Sequence, residues 1–231
     1  MKSLGPKIRT AYLRAMAAFA VIAVATACNS ASRHQTSRPT LVPASALEGL
    51  LLSADEVAAV MGTNAMVADT PFVTARDHRI LMPNLNCLGI WEVGESAVYK
   101  DSGFSAIRGQ LLRQPDTDDW QDLVIQAGVI FPSTEAARAF FSASVDRWTN
   151  CTNHRVNITL NDQPKKTWWF GNLTKTDTEL SMPVIRGASE RTCQHVLSVS
   201  NNVIVDVLAC SPTATDQAAT IAQKMKDRLP H

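Results

Sequence analysis

Residues 191–210 read RTCQHVLSVSNNVIVDVLAC. Two runs rich in Val, Leu and Ile flank Ser200-Asn201-Asn202. Asn tolerates the positive φ of a two-residue hairpin turn, so the stretch predicts a β-hairpin with Asn201 and Asn202 at its tip. In that register facing residues have numbers that sum to 403, and Cys193 and Cys210 meet that sum. Counting outward from the Ser200–Val203 pair places them at a non-hydrogen-bonded site, where Cα atoms lie ~4.5 Å apart, within the ~4.4–6.8 Å that a disulfide tolerates. His195 then faces Leu208, with Asp206 diagonal to it on the same face.

Five cysteines occur in all: Cys28, Cys87, Cys151, Cys193 and Cys210. With Cys193 and Cys210 joined, Cys87 pairs with Cys151 by elimination. The chain-entropy model gives ~3 kcal/mol for the shorter loop and ~4 kcal/mol for the longer one. The rival reading is a zinc site built from Cys151, His154, Cys193 and His195, but neither half has CxxC spacing. The oxidation reading depends on export, for which the first residues of the chain speak.

Lys2, Lys7, Arg9 and Arg14 precede thirteen uncharged residues, Ala15 to Ala27, and small residues stand just before Cys28. A basic start, a short apolar run and small residues at a cut describe a secretory signal over residues 1–27. Thirteen residues make a helix of only ~20 Å, short of a ~30 Å hydrocarbon core, which argues against the alternative of an uncleaved anchor. A cysteine at that cut resembles the bacterial lipobox, with Ala25 standing where the motif usually has Leu. The resemblance implies that Cys28 is lipidated and becomes the mature N-terminus; the alternative is plain secretion with a free Cys28. Residues 28–46 are rich in Ser, Thr, Ala and Pro, hold no acid, and read as a flexible tether ahead of a domain at 47–231. His34 lies in that tether.

Composition agrees with one globular domain. Hydrophobic residues make up 45% of 231 and charged residues 19%, which excludes a disordered chain. The formal charge is +1, from 22 bases and 21 acids. Subtracting the four bases of residues 1–27 leaves 18 against 21, a net of −3 for the mature chain. No basic excess points to nucleic acid.

Outward from the hairpin, Ser53-Ala54-Asp55-Glu56 is a capping box, stapled by Leu52 and Val57, for a helix that ends at Gly62. Residues 87–93, 104–113 and 121–131 read as strands. Ser133 opens a helix with Ala137, Phe140, Phe141, Val145 and Trp148 on its core stripe. Strand-like pieces follow at 155–160, 166–171 and 179–185. A last helix starts near Thr213, with Asp216 in capping-box position. Strands outnumber helices and are joined by short turns, so the fold class is α+β with a mainly antiparallel sheet packed with helices.

GxSxG, HExxH, P-loop and GxGxxG motifs are absent, and no cofactor or metal is expected. His195 with Asp206 could orient a serine nucleophile, but a cross-strand hydrogen bond explains the pair without one. In Trp168-Trp169-Phe170, alternation sends Trp169 to the opposite face from its neighbours. One Trp could line a ligand cleft. Trp168, Trp169, Arg108 and His195 are the cleft candidates, chosen as aromatic or polar groups on expected strands.

Several features recur together: Ser53-Ala54-Asp55-Glu56-Val57 before a Met-Gly helix end, Cys87-Leu-Gly, Trp120 ahead of QAGVIF, Ser133 to Trp148 running into Asn150-Cys151, and the pair Cys193 and Cys210. Over residues 47–230 they resemble the PknH-like extracellular sensor domain family of mycobacterial receptor kinases, which also occurs alone in lipoproteins. The resemblance implies an α+β domain with two disulfides and a broad cleft for an unidentified ligand. The expected protein is an exported lipoprotein, lipid-anchored on the outer face of the cell membrane, with a non-catalytic, ligand-binding, sensor-like domain. The alternatives are a module that docks on another envelope protein or kinase ectodomain, or a secreted hydrolase that uses His195 and Asp206.

Overall fold

The computed structural model describes residues 40–117, 119–159, 166–187 and 191–230. The signal segment, Cys28 and the tether up to residue 39 lie outside the described residues. In chain order the elements are α1 (Leu47–Leu50), α2 (Ala54–Met61), β1 (Val67–Ala68), α3 (Leu85–Trp91), α4 (Ser96–Tyr99), β2 (Ala106–Gln114) and β3 (Asp122–Ile130). They continue with α5 (Thr134–Cys151), β4 (His154–Ile158), β5 (Lys166–Phe170), β6 (Thr174–Lys175), β7 (Glu179–Arg186), β8 (Arg191–Ser200), β9 (Val203–Ser211) and α6 (Gln217–Lys226).

One antiparallel sheet runs β1-β2-β3-β9-β8-β7-β5-β4, with β6 on the side of β7. The β8–β9 hairpin lies near its centre in the expected register, with Cys193 opposite Cys210 and His195 opposite Leu208. Asn201 takes φ 53° at the turn. Both strands are buried on both faces because helices cover the two sides. On one face Ile125, Val129, Leu197, Ile204 and Leu208 pack with α3 and α5. On the other, Val124, Val196, Val205 and Val207 pack with α1, α2 and α6. The architecture is α+β, as the sequence pattern predicts.

The capping box of α2 is formed as expected, and Gly62 closes that helix at φ 72°. Two entering segments are held by amide side chains. Buried Gln126 accepts from Leu52 N–H (2.9 Å) and donates to Leu52 C=O (2.8 Å). Buried Asn202 accepts from Val42 N–H (2.8 Å) and donates to the carbonyls of Val42 and Phe131. Residues 40–46, assigned to the tether from composition, are therefore fastened to the sheet, and the folded part begins before Leu47. A side-chain amide that pairs with one peptide group on both sides satisfies a backbone that has no strand partner.

Two other expectations are corrected. Residues 87–93 are not a strand: Leu85–Trp91 is a helix capped by Asn84, whose side chain accepts from Asn86 N–H. Its Cys87, Leu88, Ile90 and Trp91 are buried, and a short apolar run of this kind does not distinguish helix from strand by periodicity. The last helix starts at Gln217, not near Thr213. Asp216 is thus its N-cap, without a capping bond from its own side chain.

Disulfides join Cys87 to Cys151 and Cys193 to Cys210, with Cα atoms 5.3 and 3.9 Å apart. The first ties α3 to the end of α5; the second crosses the hairpin. Both cysteine pairs are thereby engaged, which removes the zinc reading of Cys151, His154, Cys193 and His195.

Candidate functional site

The segment from Ile90 to Glu95 has a polar group on each side. Trp91 ends α3, Glu92 and Val93 run on beyond it, and Gly94 turns the chain at φ 71°. Glu95 then stands as N-cap of α4.

On the inner side lie His195 and Asp206, neither more than 2% exposed. His195 Nδ1 is 2.5 Å from Ile90 C=O, and Nε2 is 2.6 Å from Asp206 Oδ1. A carbonyl only accepts, so Nδ1 carries a proton. Asp206 Oδ2 accepts from Tyr99 O–H (2.9 Å) and Gly94 N–H (3.2 Å). Burial, reinforced by Asp206, pushes the Tyr99 phenol well above its ordinary pKa and keeps it a donor. Trp148 stands edge-on to His195 at 5.0 Å, and Tyr99 stacks on Phe140 at 4.4 Å. Every polar atom of this network has a partner, and none faces water. It is a clamp between the hairpin and the 90–99 segment, not a general base in reach of a substrate. The hydrolase reading of His195 and Asp206 falls on that burial.

On the outer side lie Arg76, His78, Glu92 and Glu95. Arg76 is bridged to Glu95 through the backbone: its N–H donates to Gly94 C=O (2.9 Å) and its C=O accepts from Ser96 N–H (2.6 Å). This puts His78 over the Glu95 carboxylate, which is itself buried. The imidazole Nδ1 makes a short contact with Oε1, and the His78 backbone N–H donates to Oε2 at 3.0 Å. Arg76 reaches Glu92 at 3.5 Å. Trp91 meets the His78 ring edge-on at 6.1 Å and Trp168 at 6.2 Å. The Glu95 hydrogen bond raises the His78 pKa against the opposing effect of desolvation. Burial raises the Glu92 carboxyl, with Arg76 and His78 opposing. One nitrogen of His78 and one oxygen each of Glu92 and Glu95 lie within 4.8 Å of one another, so these three could hold a metal ion.

The four sequence candidates do not come together. His195 and Trp168 are buried in the core and face no cleft, because their strands are covered by α3 and α5. Trp169 is 46% exposed, with the Arg155 guanidinium 5.0 Å from its ring centroid. Arg108 is half-buried on β2 opposite Gly128, and β3, β9, β8 and β7 separate it from Trp169 on β5. Sequence reading misses the outer cluster. Its members lie on a loop and a helix end, and no periodicity or spacing signal connects His78 to Glu92 and Glu95. Nearby, an open depression is lined by Asp77, Arg79 and Ile80, and Ile80 is 92% exposed.

The chain is 34% identical over 192 residues to the serine/threonine-protein kinases PknH of Mycobacterium bovis and Mycobacterium tuberculosis. The match covers 83% of this chain but only 32% and 30% of those proteins, so the chain spans about a third of their length. The crystal structure of the extracellular domain of PknH from Mycobacterium tuberculosis superposes with a TM-score of 0.75 at 34% identity, covering 82% of this chain and 97% of that one. The family model for the PknH-like extracellular domain matches residues 42–228, and the chain belongs to that family.

Proposed function

We propose that the chain is an exported envelope lipoprotein, anchored through Cys28, whose domain binds a ligand as a non-catalytic, sensor-like module. The observation that carries this reading is the family match, over residues 42–228, to a domain described as extracellular. Two disulfides inside the cores suit an oxidising compartment. Among the described residues no helix is long and apolar enough to cross a membrane. The reading assigns anchoring to a lipid on Cys28 because of the lipobox-like residues before it. Of the four cleft candidates, Trp169 and Arg108 keep access to solvent and remain proposed ligand contacts.

A thermal-shift screen against envelope lipids, glycans and peptidoglycan fragments tests the reading, because a ligand that binds only the folded state raises its melting temperature. A shift that weakens in Trp169→Ala or Arg108→Ala would support the proposed contacts. No shift with any envelope extract would remove the small-ligand reading.

The second reading, a module that docks on another envelope protein, draws on the loop before α3. On that loop Val73 and Ile80 are 61% and 92% exposed, and Leu85, the first residue of α3, is 45% exposed; apolar side chains left in water are available to a protein partner. Pull-down from membranes with the natural chain and with Ile80→Asp separates the readings: a partner retained equally by both would remove this surface from consideration.

A further inference from the structure

The three side chains on the outer face of the 92–95 turn have the chemistry of a ligand set. Their donor atoms, one imidazole nitrogen and two carboxylate oxygens, lie within 4.8 Å of one another. Around a four-coordinate zinc ion with bonds of about 2.0–2.1 Å, neighbouring ligand atoms sit about 3.3 Å apart. His78 Nδ1 and Glu95 Oε1 already lie closer than that, so side-chain rotation would part this pair to admit the ion. An imidazole with two carboxylates favours a first-row divalent ion over calcium or magnesium, which prefer all-oxygen cages.

The backbone beneath the set is held from several directions. Glu92 and Glu95 flank Gly94, whose N–H donates to Asp206, and Ile90 C=O accepts from His195. Cys87, in the same helix, is joined to Cys151. His78 is carried by a segment docked through Arg76 on Gly94 and Ser96, and through Phe72, which pairs with Gly109. Such a frame orients ligands before an ion arrives. The Glu95 side chain is fully buried, whereas those of His78 and Glu92 are 24% and 16% exposed, which leaves one side open for a water or an incoming group.

We propose that His78, Glu92 and Glu95 bind a single first-row divalent metal ion, with Zn²⁺ as its probe. The ion replaces the proton held between His78 Nδ1 and Glu95, which leaves to solvent. It also displaces Arg76 from its 3.5 Å contact with Glu92, and the guanidinium remains beside the Phe72 ring, 5.6 Å from its centroid. The inference goes beyond the envelope-ligand reading and is independent of it: metal binding without any response to envelope extracts would leave the site standing.

The test uses the untagged full-length chain, stripped with EDTA. Calorimetric titration with Zn²⁺ and the visible spectrum with Co²⁺ are compared for the natural chain, His78→Ala and Glu92→Gln. The expected result is saturable binding of one Zn²⁺ per chain, weakened at least about tenfold in each variant, with loss of the Co²⁺ band and unchanged circular dichroism. If His78→Ala fails to fold, Glu92→Gln at the accessible rim decides. No saturable binding, or binding undiminished by Glu92→Gln, would overturn the site and leave the cluster as an ion-pair network.

Discussion

Asp206 gathers three donors on two oxygens: His195 on one, and Tyr99 and Gly94 on the other. Asp206→Ala would leave His195 Nε2, the buried Tyr99 hydroxyl and the Gly94 N–H without partners, and a broken buried pair costs about 3–5 kcal/mol. Urea unfolding should register a loss of that order; a loss under ~1 kcal/mol would contradict the clamp. Part of this network is legible in the sequence, because the hairpin register alone puts His195 and Asp206 diagonally on one face. The rest is not, because Tyr99, Gly94 and Ile90 come from segments about a hundred residues away. Glu56 gives a pH-dependent case. A side-chain hydrogen bond from Arg228, then the Ser53 backbone N–H, lower its pKa from 4.5 to about 2. A depressed folded pKa contributes stability that is full above 4.5 and fades as pH falls toward about 2. The side chain is 46% exposed, so solvent screening holds the effect of Glu56→Gln at pH 7 to about 1 kcal/mol or less. Unfolding midpoints of Glu56→Gln and the natural chain should converge as the pH is lowered through that window. A gap as wide at its acid end as at pH 7 would contradict the assignment.

Among the elements, the close approach of α1 to β3 depends on a missing side chain. A Cβ at Gly128 would stand 2.3 Å from Leu50 Cδ2 and 2.9 Å from Leu47 Cδ2. Gly128→Ala should therefore destabilise by about 1–3 kcal/mol, the usual cost of overpacking, read as a lower urea midpoint; an unchanged midpoint would mean that α1 yields freely. The β8–β9 hairpin, α2 and α5 are readable from sequence because each carries its own punctuation: an Asn-Asn turn, a capping box, and a Ser N-cap before a helical stripe. For α3 that fails. Cys87-Leu-Gly-Ile-Trp offers β-branched and aromatic residues at strand length, and its only local helix signal is the Asn84 N-cap; burial and the tie to α5 are tertiary. The amide clamps of Gln126 and Asn202 are equally hidden, since nothing local tells a buried Gln on a strand which distant peptide it will bind. The outer cluster has the same cause: Arg76 and His78 reach Glu92 and Glu95 only because a loop is laid against the helix end.

For the whole molecule, the family match fixes the kind of domain and the first 28 residues carry its proposed address. Cys28→Ser should move the protein from the membrane fraction to the soluble fraction of its host, as judged by fractionation and immunoblot; unchanged membrane association would contradict anchoring through that residue. Under the proposed anchoring the domain would be displayed on the outer face, with the exposed side chains of Val73, Ile80 and Trp169 open to other molecules. If residues 1–27 are removed as proposed, the side-chain balance of −3 would give it no general attraction to polyanions. Native mass spectrometry of the chain purified from its own host distinguishes a domain that binds an envelope ligand, as proposed, from one that performs chemistry. The expected result is a non-covalent adduct of fixed mass that is lost on unfolding and raises the melting temperature when added back. The bare chain alone, with a melting temperature indifferent to envelope extract, would contradict it.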